Sequence, residues 1–289
     1  MKYGLMYGYF HKDWEGDYPP EMQRVSRLGF DAMEIHTGRL LNMTDAQLDA
    51  LRGAIEENGL MLVYDICLGK DTDISCDDYA IQQNGIRYAT TLLKQIHKLG
   101  GHDVAGINYV GWNCFDGTID KPRRTENSVS CMKEIIKVAE DLDIVYGFEV
   151  TNRFEQFMLN TASEAVEYCQ RVGSPYARVQ LDINHMLIEE DDIYGAVVTA
   201  GKLLSHLHVA ESNRRVPMGG GFVPWKDLAR GLKEIGYDRT ITLEPLTKLG
   251  GTVARDAKMW RQTIPDVSDE ALERDIVAGL RFIRSVMEG

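Results

Sequence analysis

The amino-acid sequence predicts an α/β protein built as a single (β/α)8 TIM barrel, one catalytic unit running through residues 1–289. Three observations carry this prediction. Short runs of β-forming residues alternate eight times with longer stretches whose apolar residues recur at helical spacing. Glycine, proline and capping residues fall at the boundaries between them. No linker or shift in composition divides the chain, and eight βα units of this length fit a closed parallel barrel with its helices outside. An open doubly wound sheet is the alternative that the same alternation allows.

In chain order, the first strand candidate covers 3–10 and the first helix 21–28, which stops at Gly29. The second strand, 32–36, leads to a helix over 44–58 in which Thr44 is placed to cap and Leu48, Leu51 and Ile55 share one face; Gly59 closes it. A third strand over 61–67 precedes a helix over 78–99 ending at Gly100, and a fourth over 104–110 precedes one over 125–142. The fifth strand, 144–150, is followed by a helix over 162–172 and Gly173, and the sixth, 177–183, by a helix over 193–204. Strand seven takes 204–209, its helix 225–235 ends at Gly236, strand eight takes 240–245, and 269–287 is the last helix.

Composition narrows the function. Apolar residues at 44% supply a core for one large unit, and a net charge of −12 opposes the basic face that nucleic-acid binding requires. A small-molecule partner is expected. Cys67, Cys76, Cys114, Cys131 and Cys169 are odd in number and form no CxxC pair, which suits a reducing cytoplasm. The N-terminal residues lack a signal-peptide pattern, and no apolar run approaches the ~20 residues that cross a bilayer.

In such a barrel the reactive groups sit at the C-terminal ends of the strands, where the loops converge. Strands five to eight end with Glu149, Asp182, His208 and Glu244 in turn. A lone acid near a strand end is most often a helix cap or salt-bridge partner. Four ligand-type residues in register read differently, because three crowded carboxylates repel one another unless a cation neutralises them. Glu149 and Glu244 also lie in apolar strands, where an unpaired charge is costly. Carboxylates with one imidazole and no thiolate suit Mn²⁺, the favoured ion, or Co²⁺ or Mg²⁺, rather than structural zinc.

Longer segments carry a resemblance. They are 148–155 (Phe-Glu-Val-Thr-Asn-Arg-Phe-Glu), 181–190 (Leu-Asp-Ile-Asn-His-Met-Leu-Ile-Glu-Glu), 208–217 (His-Val-Ala-Glu-Ser-Asn-Arg-Arg-Val-Pro), Glu244-Pro245 and Gly250-Gly251-Thr252. On these the chain resembles, over nearly its whole length, the ketose 3-epimerases, the D-tagatose and D-psicose (D-allulose) 3-epimerase family of xylose-isomerase-like barrels. The resemblance implies metal binding by Glu149, Asp182, His208 and Glu244, and substrate binding by Glu155, His185 and Arg214, with Trp14 and Trp112 as aromatic walls. It also implies Mn²⁺ or Co²⁺, dimers or tetramers, and a free ketose such as D-fructose/D-psicose or D-tagatose/D-sorbose. Glu149 and Glu244 would take and return the C3 proton through a cis-enediolate, inverting that carbon. The bland reading of Arg214 and His185 is a surface charge and a backbone-satisfying histidine, and that of the two tryptophans is packing.

The chain departs from the family where Asp-Thr-Phe-His becomes Asp182-Ile183-Asn184-His185 and His-Thr-Gly-Glu becomes His208-Val209-Ala210-Glu211. A Gly-Gly pair after strand four is replaced by Ala105-Gly106, Met6 stands where an aromatic is frequent, and Cys67 and Leu68 occupy the mouth of strand three. These changes touch the pocket wall more than the ligands, so they bear on substrate more than on reaction. A carbonyl-shifting isomerase or a keto-glycoside lyase with the same ligands stays open. A metal-dependent endonuclease or a non-catalytic sugar-binding barrel is a more distant reading, the former opposed by the acidic charge.

Weaker signals remain. The glycine runs at 218–221 and 249–252 read as phosphate loops or, better, as turns with unusual backbone angles, since neither carries a P-loop lysine. His206 shares a face with His208 and is a conceivable extra ligand; His36 ends strand two and reaches toward the mouth; His97 and His102 flank a helix end.

Overall fold

The computed structural model describes residues 1–115 and 117–289. Its strands are β1 (Lys2–Met6), β2 (Ala32–His36), β3 (Met61–Asp65), β4 (Asp103–Ala105), β5 (Val145–Glu149), β6 (Ala177–Asp182), β7 (Leu204–Val209) and β8 (Thr240–Leu243). Each pairs in parallel with its neighbour in chain order, and β1 pairs with β8, so the sheet closes. This is the (β/α)8 barrel, and the open-sheet alternative falls away.

The helices between them are α1 (Tyr18–Arg27), α2 (Asp45–Asn58), α3 (Tyr79–Lys98), α4 (Lys121–Asp141), α5 (Ala162–Val172), α6 (Ile183–Glu189), α7 (Ile193–Ala200), α8 (Trp225–Glu234), α9 (Gly251–Asp256) and α10 (Asp269–Glu288). Their starts follow local chemistry. Thr44 and Thr161 form capping boxes with Gln47 and Glu164, and Asp78, Asp120 and Ser268 cap α3, α4 and α10. Gly59 and Gly173 terminate α2 and α5 in the left-handed conformation. Among the described residues no helix is long and apolar enough to cross a membrane.

Along β5–β8 two kinds of residue alternate. Phe148, Leu181, Leu207 and Ile241 belong to the apolar core, whereas Glu149, Gln180, Asp182, His206, His208 and Thr242 are buried polar groups, several of which touch one another. The strands are therefore apolar toward the helices and polar toward the barrel axis, the arrangement that leaves charge at the mouth.

Strands one, three, four, five, six and eight end earlier than the sequence reading places them, three of them for a clear local reason. After Met6 the chain turns into a 3-10 segment, Tyr7–Tyr9, and the Tyr9 hydroxyl donates to the Leu272 carbonyl of α10. The fourth strand stops at Ala105 because Gly106 has φ +103°, and a side chain there would meet Asp65 Oδ1 at 1.9 Å. Ile183 opens α6 instead of ending β6, because the Asp182 side chain accepts from the Asn184 amide and starts a helix. The short helices α6 and α9 stand in the segments after β6 and β8, for which the apolar spacing predicts no element.

Candidate metal centre and active site

Glu149 is the last residue of β5, Asp182 the last of β6, His208 the fifth of the six in β7, and Glu244 follows β8 directly. Backbone pairing sets them side by side: Glu149 faces Gln180, Asp182 faces His208, and His208 faces Thr242. All four are at most 7% exposed. His208 Nδ1 lies 3.7 Å from Glu149 Oε1 and 3.2 Å from Glu244 Oε2, and ligand atoms of Glu149, Asp182 and His208 fall within 4.8 Å of one another. The sequence-predicted quartet is thus one cluster.

Its chemistry fits a divalent cation. Asp182 spends one oxygen on the Asn184 amide, and the other, fully buried, accepts no aligned hydrogen bond although Arg214 Nη1 stands 2.9 Å away. Arg214 also contacts Glu244 Oε2. Burial, reinforced by the Glu244 and Asp182 charges, pushes the Glu149 carboxyl well above the usual range despite His208. Burial acts on Glu244 too, but Arg214 and His208 outweigh it and hold that carboxyl below its ordinary value. A site that strains three carboxylates against one arginine and one imidazole is relieved by added positive charge, and oxygen-rich ligation with one nitrogen is what Mn²⁺, Mg²⁺ and Co²⁺ accept.

The predicted substrate residues close around this cluster. His185, on α6, is 2% exposed; its Nδ1 accepts from Asn152 Nδ2 at 2.7 Å, and its Nε2 faces Asp182 (3.4 Å), Glu149 (3.7 Å) and Arg214 Nη2 (3.4 Å). Glu155 accepts from Trp112 Nε1 at 2.9 Å and from Asn152 at 3.0 Å. Against burial, His185 and Arg214 hold the Glu155 carboxyl below its usual range. Arg214 adopts φ +59°, an uncommon backbone state for a non-glycine residue, fixed by hydrogen bonds from its amide to Glu211 and from the Leu246 amide to its carbonyl. Arg215 turns instead to Asn213.

A chamber of about 50 Å³ lies over the cluster, lined by Glu149, Glu155, His185, Arg214 and Glu244 below and by Trp14, His36, Cys67 and Trp112 above. The same Trp14, His36, Cys67 and Trp112 also border an outer cavity of about 510 Å³ reaching Asp13, Asn113 and Arg255. Trp14 and Trp112 meet edge to face at 6.1 Å, and Trp14 Nε1 donates to Asp256 on α9 at 3.2 Å.

The remaining signals resolve as well. His206 Nε2 lies 2.8 Å from Glu34 Oε2, and His36 Nε2 2.8 Å from Asp65 Oδ2. His97 and His102 are exposed, away from the cluster. The glycine run at 218–221 is a bend and that at 249–252 opens α9, and both are tied to carboxylates: the Met218 and Gly219 amides donate to Glu211 and the Thr252 amide to Asp13, so these amides are already spoken for. Sequence reasoning missed Glu34 and Asn152. Glu34 carries the signal that marked Glu149, an acid inside an apolar strand, but sits in mid-strand rather than at its end.

Known proteins resemble this chain over its whole length. The profile of the xylose isomerase-like TIM barrel family matches residues 22–273. A D-psicose 3-epimerase of Ruminiclostridium cellulolyticum is 38% identical over 289 residues, covering 100% of this chain and 98% of that protein. A crystal structure of D-psicose 3-epimerase with D-tagatose, from Clostridium cellulolyticum H10, superposes with a TM-score of 0.97 at 38% identity, covering 99% of both chains. Another, of a D-psicose 3-epimerase in the presence of D-fructose, gives 0.97 at 35% identity over 100% of both. The chain belongs to the ketose 3-epimerase family of xylose isomerase-like TIM barrels.

Proposed function

We propose that this chain is a metal-dependent ketose 3-epimerase acting on free ketoses such as D-fructose/D-psicose or D-tagatose/D-sorbose. The observation that carries the reading is the convergence of three buried carboxylates and one imidazole from four consecutive strands beneath a sugar-sized cavity. Glu149, Asp182, His208 and Glu244 would hold Mn²⁺, with Co²⁺ or Mg²⁺ as substitutes. When bound, the cation stabilises the negative charge that develops on the substrate oxygens as the C3–H bond breaks.

The chain's own groups do the rest. Glu149 and Glu244 enter the chamber from different strands; one removes the C3 proton and the other returns a proton to the opposite face of the cis-enediolate, inverting C3. His185, with Nδ1 occupied by Asn152, presents Nε2 to a substrate oxygen, and Arg214 adds a charged donor beside it. Glu155, held by Trp112 and Asn152, accepts a substrate hydroxyl. Trp14 and Trp112 wall the distal half of the sugar.

Proton NMR of the Mn²⁺-loaded protein with D-fructose, D-psicose, D-tagatose and D-ribulose in D₂O tests the reading. Epimer formation with deuterium at C3 is expected. Exchange at C1 would reassign the chain to aldose–ketose isomerisation, and no exchange with any ketose would point to a modified sugar. Chelation should abolish turnover and Mn²⁺ restore it. The reading includes a homodimer or homotetramer, from the family resemblance, and a cytoplasmic setting, which the scattered cysteines suit.

A further inference from the structure

Beneath the ligand cluster lies a group that the proposed chemistry does not use. Glu34, the third residue of β2, is 0% exposed, and its two carboxylate oxygens face two histidines of β7. Oε2 is 2.8 Å from His206 Nε2 and Oε1 is 2.9 Å from His208 Nε2. Strands β2 and β7 are not neighbours; β1 and β8 stand between them. Glu34 therefore reaches His208 across the barrel interior, from the side away from Glu149 and Glu244, which lie toward Nδ1.

We propose that Glu34 is a positioning residue for the metal centre: by accepting Nε2–H of His208 it fixes the imidazole tautomer and turns the Nδ1 lone pair toward the cation. The inference rests on His208 being a ligand, as proposed above. A neutral imidazole has one N–H and one lone pair, and a carboxylate can only accept, so the nitrogen facing Glu34 carries the proton. His206 completes the device. Its own N–H occupies the second oxygen, so the carboxylate has a partner on each side and cannot rotate away from His208.

Stability alone gives no reason for this layer. Barrel interiors at this depth are ordinarily filled by branched aliphatic side chains, and a buried charged network is often replaceable by such residues without loss. A carboxylate behind a ligating imidazole raises the basicity of the ring and sets its direction.

The test is Glu34→Gln, read by calorimetric titration with Mn²⁺ and by the melting temperature of the metal-free protein. Gln keeps the shape but offers an amide N–H₂, which favours the wrong tautomer. The Kd for Mn²⁺ should rise about 10–100-fold, with metal-free melting near wild type and partial recovery in Glu34→Asp. An unchanged Kd with a lower metal-free melting temperature would make Glu34 a structural group only and overturn the proposal. Should the variant fail to fold, ¹⁵N NMR of the wild-type histidines during Mg²⁺ titration decides: the shift should fall on His208 Nδ1 with Nε2 protonated, and a shift on Nε2 would overturn it. A wild-type protein that binds no divalent ion would instead sink the metal-centre reading itself.

Discussion

The two halves of the barrel mouth are built differently. On the β5–β8 side the proposed ligands are strand residues or immediate successors, each fixed by backbone bonds or pairing to a neighbouring strand, His208 to both, and at most 7% exposed. On the β1–β4 side, Trp14, Cys67 and Trp112 stand on loops beyond the strand ends and are half-buried. Their side chains are held by side-chain bonds, Trp14 to Asp256, Cys67 to Asp65 and Trp112 to Glu155, with loop bonds such as that from the Trp112 amide to Leu68 beside them. Proton transfer tolerates little error in distance, and rigid strand ends supply that accuracy; recognition of a sugar's distal carbons tolerates more and can be left to loops.

Substitution should break the first half and only tune the second. Glu149→Gln or Glu244→Gln should lower kcat by about 10²–10⁴-fold with an unchanged circular-dichroism spectrum; near-normal turnover in either variant would end the two-carboxylate mechanism. His208→Ala should weaken Mn²⁺ binding by more than the ~100-fold expected from losing a supporting group, measured by calorimetry. Arg214→Ala removes a charged donor and should cost about 10–100-fold in kcat/KM, mostly through KM; unchanged steady-state constants would make it a bystander. Trp112→Phe deletes the bond to Glu155 and should cost no more than about tenfold while reordering the preferred ketoses. Thr44→Ala, far from either half, should cost about 1 kcal/mol of stability and leave turnover alone.

How far the sequence could be read follows the same division. Glu149, Asp182, His208 and Glu244 were legible because strand period and strand end are local signals, and the barrel then dictates that such ends meet. Asp182 shows that the bland and functional readings need not compete, since one oxygen caps α6 while the other faces Arg214. Glu34 was not legible as a partner of His208, because it lies 174 residues away and only closure of the barrel brings them together. The bend at Gly106 was equally hidden, its cause being the approach of Asp65 from another strand. The glycine runs read better as turns than as phosphate loops, but the carboxylates that satisfy them, Glu211 and Asp13, were hidden because they come from elsewhere in the fold or lie several residues upstream.

The small chamber opening into a larger cavity has a consequence for descent. Leu68, Asn113 and Arg255 border only the upper space and share no strand with the proposed ligands. Mutations there can accumulate without disturbing the geometry on which turnover depends, so a lineage built on this barrel can exchange one sugar for another in small, individually viable steps. A library confined to those three positions samples the same neighbourhood in the laboratory, and it should yield altered preferences at a far higher frequency than dead enzymes.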